Sequence, residues 1–125
     1  MKNISLHKTN LWRCQLGLQA NDYQKKTLET AVYPQAGSGA AIELYYLALG
    51  LTSEAGEVAG KVKKMIRDGS YDTAAMIQEI GDVCWYVARL CDALGFELED
   101  VLQINYTKLT KRKDNGTIQG SGDIR

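Results

Sequence analysis

From Ala41 to about Arg67 the apolar positions Leu44, Leu47, Leu51, Ala55, Val58, Val62 and Met65/Ile66 recur every three or four residues. That spacing is one face of a long helix, and Asp68-Gly69-Ser70 ends it. A shorter helix is expected from an N-cap at Asn21-Asp22 to about Val32, with Pro34 and Gly37-Ser38-Gly39 forming the loop between the two. Asp72-Thr73 caps a third helix that reaches Leu94 and stops at Gly95. A fourth runs from about Glu97 to Lys113. Its acids Glu97, Glu99 and Asp100 come first and its bases Lys111, Arg112 and Lys113 last, as the helix dipole favours. No segment alternates as a strand would. The pattern predicts an all-α bundle of about four helices, with an N-terminal arm (1–20), a helical domain (21–113) and a glycine-rich tail (114–125).

The third helix is unusual. Ile77, Ile80, Cys84, Val87, Cys91 and Leu94 form an apolar stripe that reads as its core side. At about 100° per residue, Glu79, Asp82 and Tyr86 fall roughly opposite, bordered by Val83, Trp85 and Leu90. A helix apolar nearly all round is hard for a small domain to bury alone. A second subunit over the acidic side is the expected remedy, so a homo-oligomer, dimer or tetramer, is predicted.

Length and composition narrow the class. The chain has 125 residues, enough for one domain. Fifteen basic and fifteen acidic residues cancel, so no global field points to nucleic acid or to a membrane surface. No apolar run is long enough to span a bilayer, and the first residues lack a signal-peptide core; a cytoplasmic protein is expected. The three cysteines lack metal-ligand spacing, and Cys84 and Cys91 read as small core residues. His7 is the only histidine and lies in the least regular segment, which leaves Ser-His-Asp and Cys-His chemistry a single, ill-suited base and excludes a di-iron bundle built on Glu-x-x-His pairs.

The chemistry then rests on acids. Glu54-x-x-Glu57 and Glu79-x-x-Asp82 each place two carboxylates one turn apart on a helical face. Either pair alone is adequately read as exposed acids, with Glu57 and Lys61 forming an ordinary i,i+4 ion pair. Two pairs on neighbouring helices would aim four negative charges at one point, which demands a cation, and hard oxygen ligands select Mg²⁺, or Mn²⁺. Gly56 and Gly81, one inside each pair, cost helix stability and are expected to permit close backbone approach. Asn105, Lys108 and Arg112 share a face of the last helix. A metal held by carboxylates beside a lysine and an arginine is suited to a polyphosphate, although the same bases also read as a plain C-terminal basic turn.

Glu54-x-x-Glu57, 21 residues, Glu79-x-x-Asp82 and then Asn105, Lys108 and Arg112 together resemble the MazG-like all-α nucleoside triphosphate pyrophosphohydrolases. The resemblance spans about residues 21–125. It includes Asp22-Tyr23-Gln24 and a tail, Gly116 to Arg125, similar to that of short single-domain phage and bacterial members. It implies Mg²⁺ ligation by Glu54, Glu57, Glu79 and Asp82, phosphate contacts from Asn105, Lys108 and Arg112, and hydrolysis of a nucleoside triphosphate to monophosphate and pyrophosphate. It also implies dimers, or dimers of dimers, with sites lined by two subunits. One departure is visible: the family motif often begins with paired glutamates, and here Ser53 holds the first position.

Glu54 or Glu57 is the expected acceptor of the water proton. Asn21 and Gln24 can read a base edge and Trp85 can stack on the base, but Asn21 also reads as a cap and Trp85 as a core or interface residue. A purine deoxynucleotide, dGTP in particular, is the expected substrate. The alternative is a helical module that binds metal or nucleotide without turnover.

Overall fold

A computed structural model of the chain describes residues 17–119. The arm before Gly17 and the tail beyond Gln119 lie outside the described residues. Among the described residues the fold is four α-helices without a strand: α1 (Ala20–Thr27), α2 (Ala41–Asp68), α3 (Thr73–Ala93) and α4 (Leu98–Asp114). Leu28–Thr30 adds a 3₁₀ turn after α1.

Three helix ends are set by residues the pattern identifies. Asp72 Oδ1 accepts the Ala75 N–H at 2.9 Å and so begins α3. Gly69 closes α2 with φ 65°, a left-handed conformation that glycine adopts without penalty. After α3, Gly95 donates to the Asp92 carbonyl and Phe96 to that of Cys91, both at 2.9 Å, which is a Schellman closure.

The first helix departs from expectation. It begins at Ala20 after Gln19, without a side-chain cap, so Asn21 and Asp22 lie inside it. Asn21 serves a different helix. Its Oδ1 accepts the Glu99 N–H at 2.9 Å, and Gln24 Oε1 accepts that of Leu98 at 2.7 Å. These are first-turn donors of α4, which has no side-chain cap from its own N-cap residue Glu97. Around this junction Ala88, Cys91 and Leu98 form a small core, with Ala20, Tyr23, Val87 and Val101 packed against it.

α2 and α3 form an antiparallel pair. Where numbers rise along α2 they fall along α3: Glu54 gathers with Asp82, and Lys61 pairs with Glu79. Tyr86 lies so tightly over Gly50 that a Cβ there would run into its ring. The side of α3 that meets α2 is therefore the acidic one. The stripe expected to be core is largely open: Ile77 is 51% exposed, Ile80, Cys84 and Leu94 are exposed, Val87 is half-buried, and only Cys91 is buried. On α2, Leu47 is fully buried and Leu44, Leu51, Val58 and Met65 are half-buried, whereas Ala55, Val62 and Ile66 are exposed. Both helices carry apolar surface that the described residues do not cover.

A buried polar network joins the loop that follows α1 to α2 and α3. Glu43, fully buried, accepts hydrogen bonds from Tyr33 Oη at 2.8 Å and from the N–H groups of Gly37 and Gly39 at 2.7 Å each. Arg89, also fully buried, donates through Nε to the Tyr33 oxygen at 3.4 Å and through an Nη to Asp92 at 2.6 Å. Burial by itself would push the Glu43 carboxyl up; the Gly37 N–H, the Tyr33 hydroxyl, the Gly39 N–H and the Arg89 charge together hold it below the usual glutamate range.

Glu43→Ala should cost about 3 kcal/mol, because it strands buried donors around a missing acceptor; urea unfolding at neutral pH measures it. A depressed folded pKa contributes stability that is present above the ordinary glutamate value and is lost as pH falls through the depressed one. The acid limb of the stability curve should therefore be shallower in Glu43→Gln than in the parent.

Candidate metal and nucleotide site

Helical geometry decides which acids meet. Lys61, seven residues after Glu54, returns to within about 20° of it, and Glu57 stands about 60° to one side. On α3, Tyr86 returns in the same way to the direction of Glu79. Single oxygens of Glu54, Glu79 and Asp82 accordingly lie within 4.8 Å of one another. Glu54 and Glu79 are half-buried and Asp82 is exposed. Glu57 is exposed and outside this group, but its charge still reaches Glu54. The structure thus gathers three of the four expected carboxylates.

Their electrostatics fit a divalent cation. Partial burial pushes the Glu54 carboxyl up, and Asp82, Glu79 and Glu57 push it further in the same direction. Such mutual opposition to ionisation is what a bound cation would relieve, and three carboxylates offer the hard oxygen donors that Mg²⁺ or Mn²⁺ takes. Lys61 Nζ already supplies one positive charge, 3.1 Å from Glu79 Oε1. This replaces the Glu57–Lys61 pair expected along the helix. The two glycines have another setting than expected: a Cβ on Gly56 or Gly81 would meet nothing within 4 Å. Close approach occurs at Gly50 instead.

Beside the carboxylates opens a pocket of about 340 Å³, lined by Thr30, Glu54, Asp82, Trp85 and Tyr86. Trp85 Nε1–H donates to Thr30 Oγ1 at 2.8 Å, and the Thr30 hydroxyl donates to the Thr27 carbonyl at 3.1 Å. The indole meets the Tyr86 ring edge-on at 5.0 Å. Trp85 therefore stands where a planar group entering beside the acids could stack on it.

The other expected contacts are distributed differently. Gln24 is buried, with its amide nitrogen donating to the Phe96 carbonyl at 2.8 Å and its oxygen at the start of α4. Asn21 Nδ2 donates to Glu99 at 3.2 Å. Both amides are committed to holding α4, which leaves the base-reading expectation for Asn21 and Gln24 without support. Asn105 and Lys108 are exposed on α4, Arg112 is buried at 9% exposure, and none of the three lines the pocket. Thr30 went unnoticed in the sequence because it follows α1 in a 3₁₀ turn without a recognisable motif. Tyr86 carried a signal, its place on the acidic side of α3.

Residues 44–117 match the model of the family described as the MazG nucleotide pyrophosphohydrolase domain. The chain is also similar to the Gene 37 protein of Mycobacterium phage L5, with 49% identity over 109 residues, covering 82% of this chain and 96% of that protein. No solved structure matches it. The three gathered carboxylates fall inside the matched segment, whereas Thr30, Tyr33 and Glu43 lie before it.

Asp82→Asn and Glu79→Gln should each weaken Mn²⁺ binding about tenfold or more, read by titration calorimetry, while helical content stays unchanged. Melting of metal-free Asp82→Asn should not fall, because it loses a repelling charge; Glu79→Gln also gives up the Lys61 ion pair, so Asp82→Asn is the variant that tests this. A sharp loss of stability with metal affinity intact would make these acids structural.

Proposed function

The chain belongs to the MazG nucleotide pyrophosphohydrolase family, and we propose that it cleaves a nucleoside triphosphate to monophosphate and pyrophosphate with Mg²⁺ as cofactor. The observation that carries this reading is the meeting of Glu54, Glu79 and Asp82 beside an aromatic-walled pocket. These three would hold the cation. When bound, it supplies charge neutralisation at the phosphates and lowers the pKa of a water.

The remaining roles belong to side chains. Glu54 or Glu57 accepts the proton of the attacking water, and Glu57, outside the trio, is the freer of the two. Trp85 stacks on the base. Lys108 and Arg112, with Asn105, neutralise the departing pyrophosphate, an electrostatic task that needs no covalent intermediate. Because these α4 residues do not line the pocket of their own protomer, the reading joins them to a site completed by a second subunit. The open faces at Ile77 and Ile80 of α3, and at Leu102, Ile104, Tyr106 and Leu109 of α4, supply apolar surface for that contact. A purine deoxynucleotide such as dGTP is the proposed substrate, in keeping with the likeness to a phage protein. Ser53, in place of the glutamate often found there in the family, favours the second reading, a nucleotide-binding module without turnover.

Pyrophosphate release from eight nucleoside triphosphates with Mg²⁺ separates these readings. Turnover of one or two of them, abolished in Asp82→Asn, is expected; tight nucleotide binding without product would establish the module. Lys108→Ala should weaken triphosphate binding about tenfold and monophosphate binding far less. Equal losses would move the basic helix out of the site. Sedimentation at micromolar concentration should give a dimer or larger, and an active monomer would overturn the shared site.

A further inference from the structure

Four aromatic side chains follow one another in contact, Tyr46, Tyr33, Trp85 and Tyr86, and the last two reach the pocket beside the carboxylates. Tyr33 stacks on Tyr46 with centroids 5.0 Å apart and planes 17° from parallel. Tyr33 also meets Trp85 edge-on at 6.1 Å, and Trp85 meets Tyr86 edge-on at 5.0 Å. Only Trp85 and Tyr86 of the four line the pocket. Tyr33 is the member fixed from behind, since its hydroxyl donates to buried Glu43 and accepts from buried Arg89.

The backbone at Tyr33 is held just as firmly. The Tyr33 carbonyl accepts the Ala36 N–H at 3.2 Å across a Pro34-Gln35 corner. Gln35 takes φ 58° there, which is costly for a residue with a Cβ. Gly37 and Gly39, the next donors along, end on Glu43. A loop that accepts such a corner and commits a buried carboxylate to its shape is specified for what it presents. What Tyr33 presents is its ring, to the edge of Trp85.

We propose that Tyr33 is a positioning residue for the pocket: anchored by Glu43 and Arg89, it sets the angle of the Trp85 indole and thereby how tightly the nucleotide is held. The inference rests on the nucleotide reading above. It assigns Tyr33 to binding rather than to bond cleavage, because Tyr33 does not line the pocket and has no contact with the carboxylate trio.

Trp12 and Trp85 are the two tryptophans of the chain, so a Trp12→Phe parent reports on Trp85 alone. In that parent, Tyr33→Leu should raise KM for the best triphosphate about tenfold and leave kcat within about twofold, consistent with the worth of an aromatic contact. Tyr33→Phe, which keeps the ring and loses only the anchor, should fall between the two. Without any nucleotide, acrylamide quenching of Trp85 should rise in the same order. Should Tyr33→Leu fail to fold, Tyr33→Phe carries the test. Unchanged quenching in Tyr33→Phe with unchanged KM, or a fall in kcat at constant KM, would overturn the proposal. A parent that hydrolyses no nucleotide would overturn the proposed function, while ligand-free quenching would still decide whether Tyr33 sets the indole.

Discussion

The seating of the Tyr86 ring against Gly50 fixes the register of α2 on α3, and the site follows from that register. Only a residue without a side chain can lie under the ring at this distance. Once these two are opposed, the helical repeat brings Glu54 to Asp82 one turn further along α2, and the long Lys61 side chain, two turns beyond Glu54, reaches back to Glu79, one turn from Asp82 on α3. A slip of one turn moves a helix by about 5.4 Å, more than the 4.8 Å within which the three carboxylate oxygens gather. The acids cannot enforce this register, because they repel one another. A contact between uncharged groups has to hold them together.

The cluster is consequently placed against its own electrostatics. Lys61 offsets part of the repulsion through Glu79, and the Glu54 carboxyl is raised by burial first and by its acidic neighbours after that. Stabilisation must come from elsewhere, yet the apolar core of the described residues is small, centred on Ala88, Cys91 and Leu98. Glu43 and Arg89 add a second centre, of hydrogen bonds rather than apolar contact. Such an arrangement, with an unfavourable site carried by remote stabilising elements, is common where function sets the geometry.

The helices, their caps at Asp72, Gly69 and Gly95, and the acidic pairs were legible because each rests on interactions a few residues apart. The orientation of α3 was not. With apolar residues on both sides, periodicity gives two possible inner faces, and the choice is made by Gly50, which lies 36 positions before Tyr86. The misread glycines show the same limit: Gly56 and Gly81 sit beside the acids in sequence, whereas the close approach falls on a glycine with no acid next to it. Asn21 and Gln24 looked like a cap and a base reader because their true partners lie more than 70 residues away. Glu43 carried no signal, since its donors Tyr33, Gly37 and Gly39 belong to a segment that reads only as a loop.

The start of α4 is held by amides that belong to α1, and this ties the order of folding to the order of synthesis. A ribosome adding 5–20 residues per second leaves Asn21 and Gln24 waiting roughly 4–15 s before Leu98 and Glu99 are made. Through that interval α1 is a short helix without the helix it is meant to hold, below the length at which isolated helices persist in water. Completion of the domain is therefore a late, long-range event that joins the earliest described helix to the last. The acids of the α2–α3 hairpin, by contrast, can meet as soon as α3 leaves the ribosome, before Ala88 and Cys91 have Leu98 to pack against.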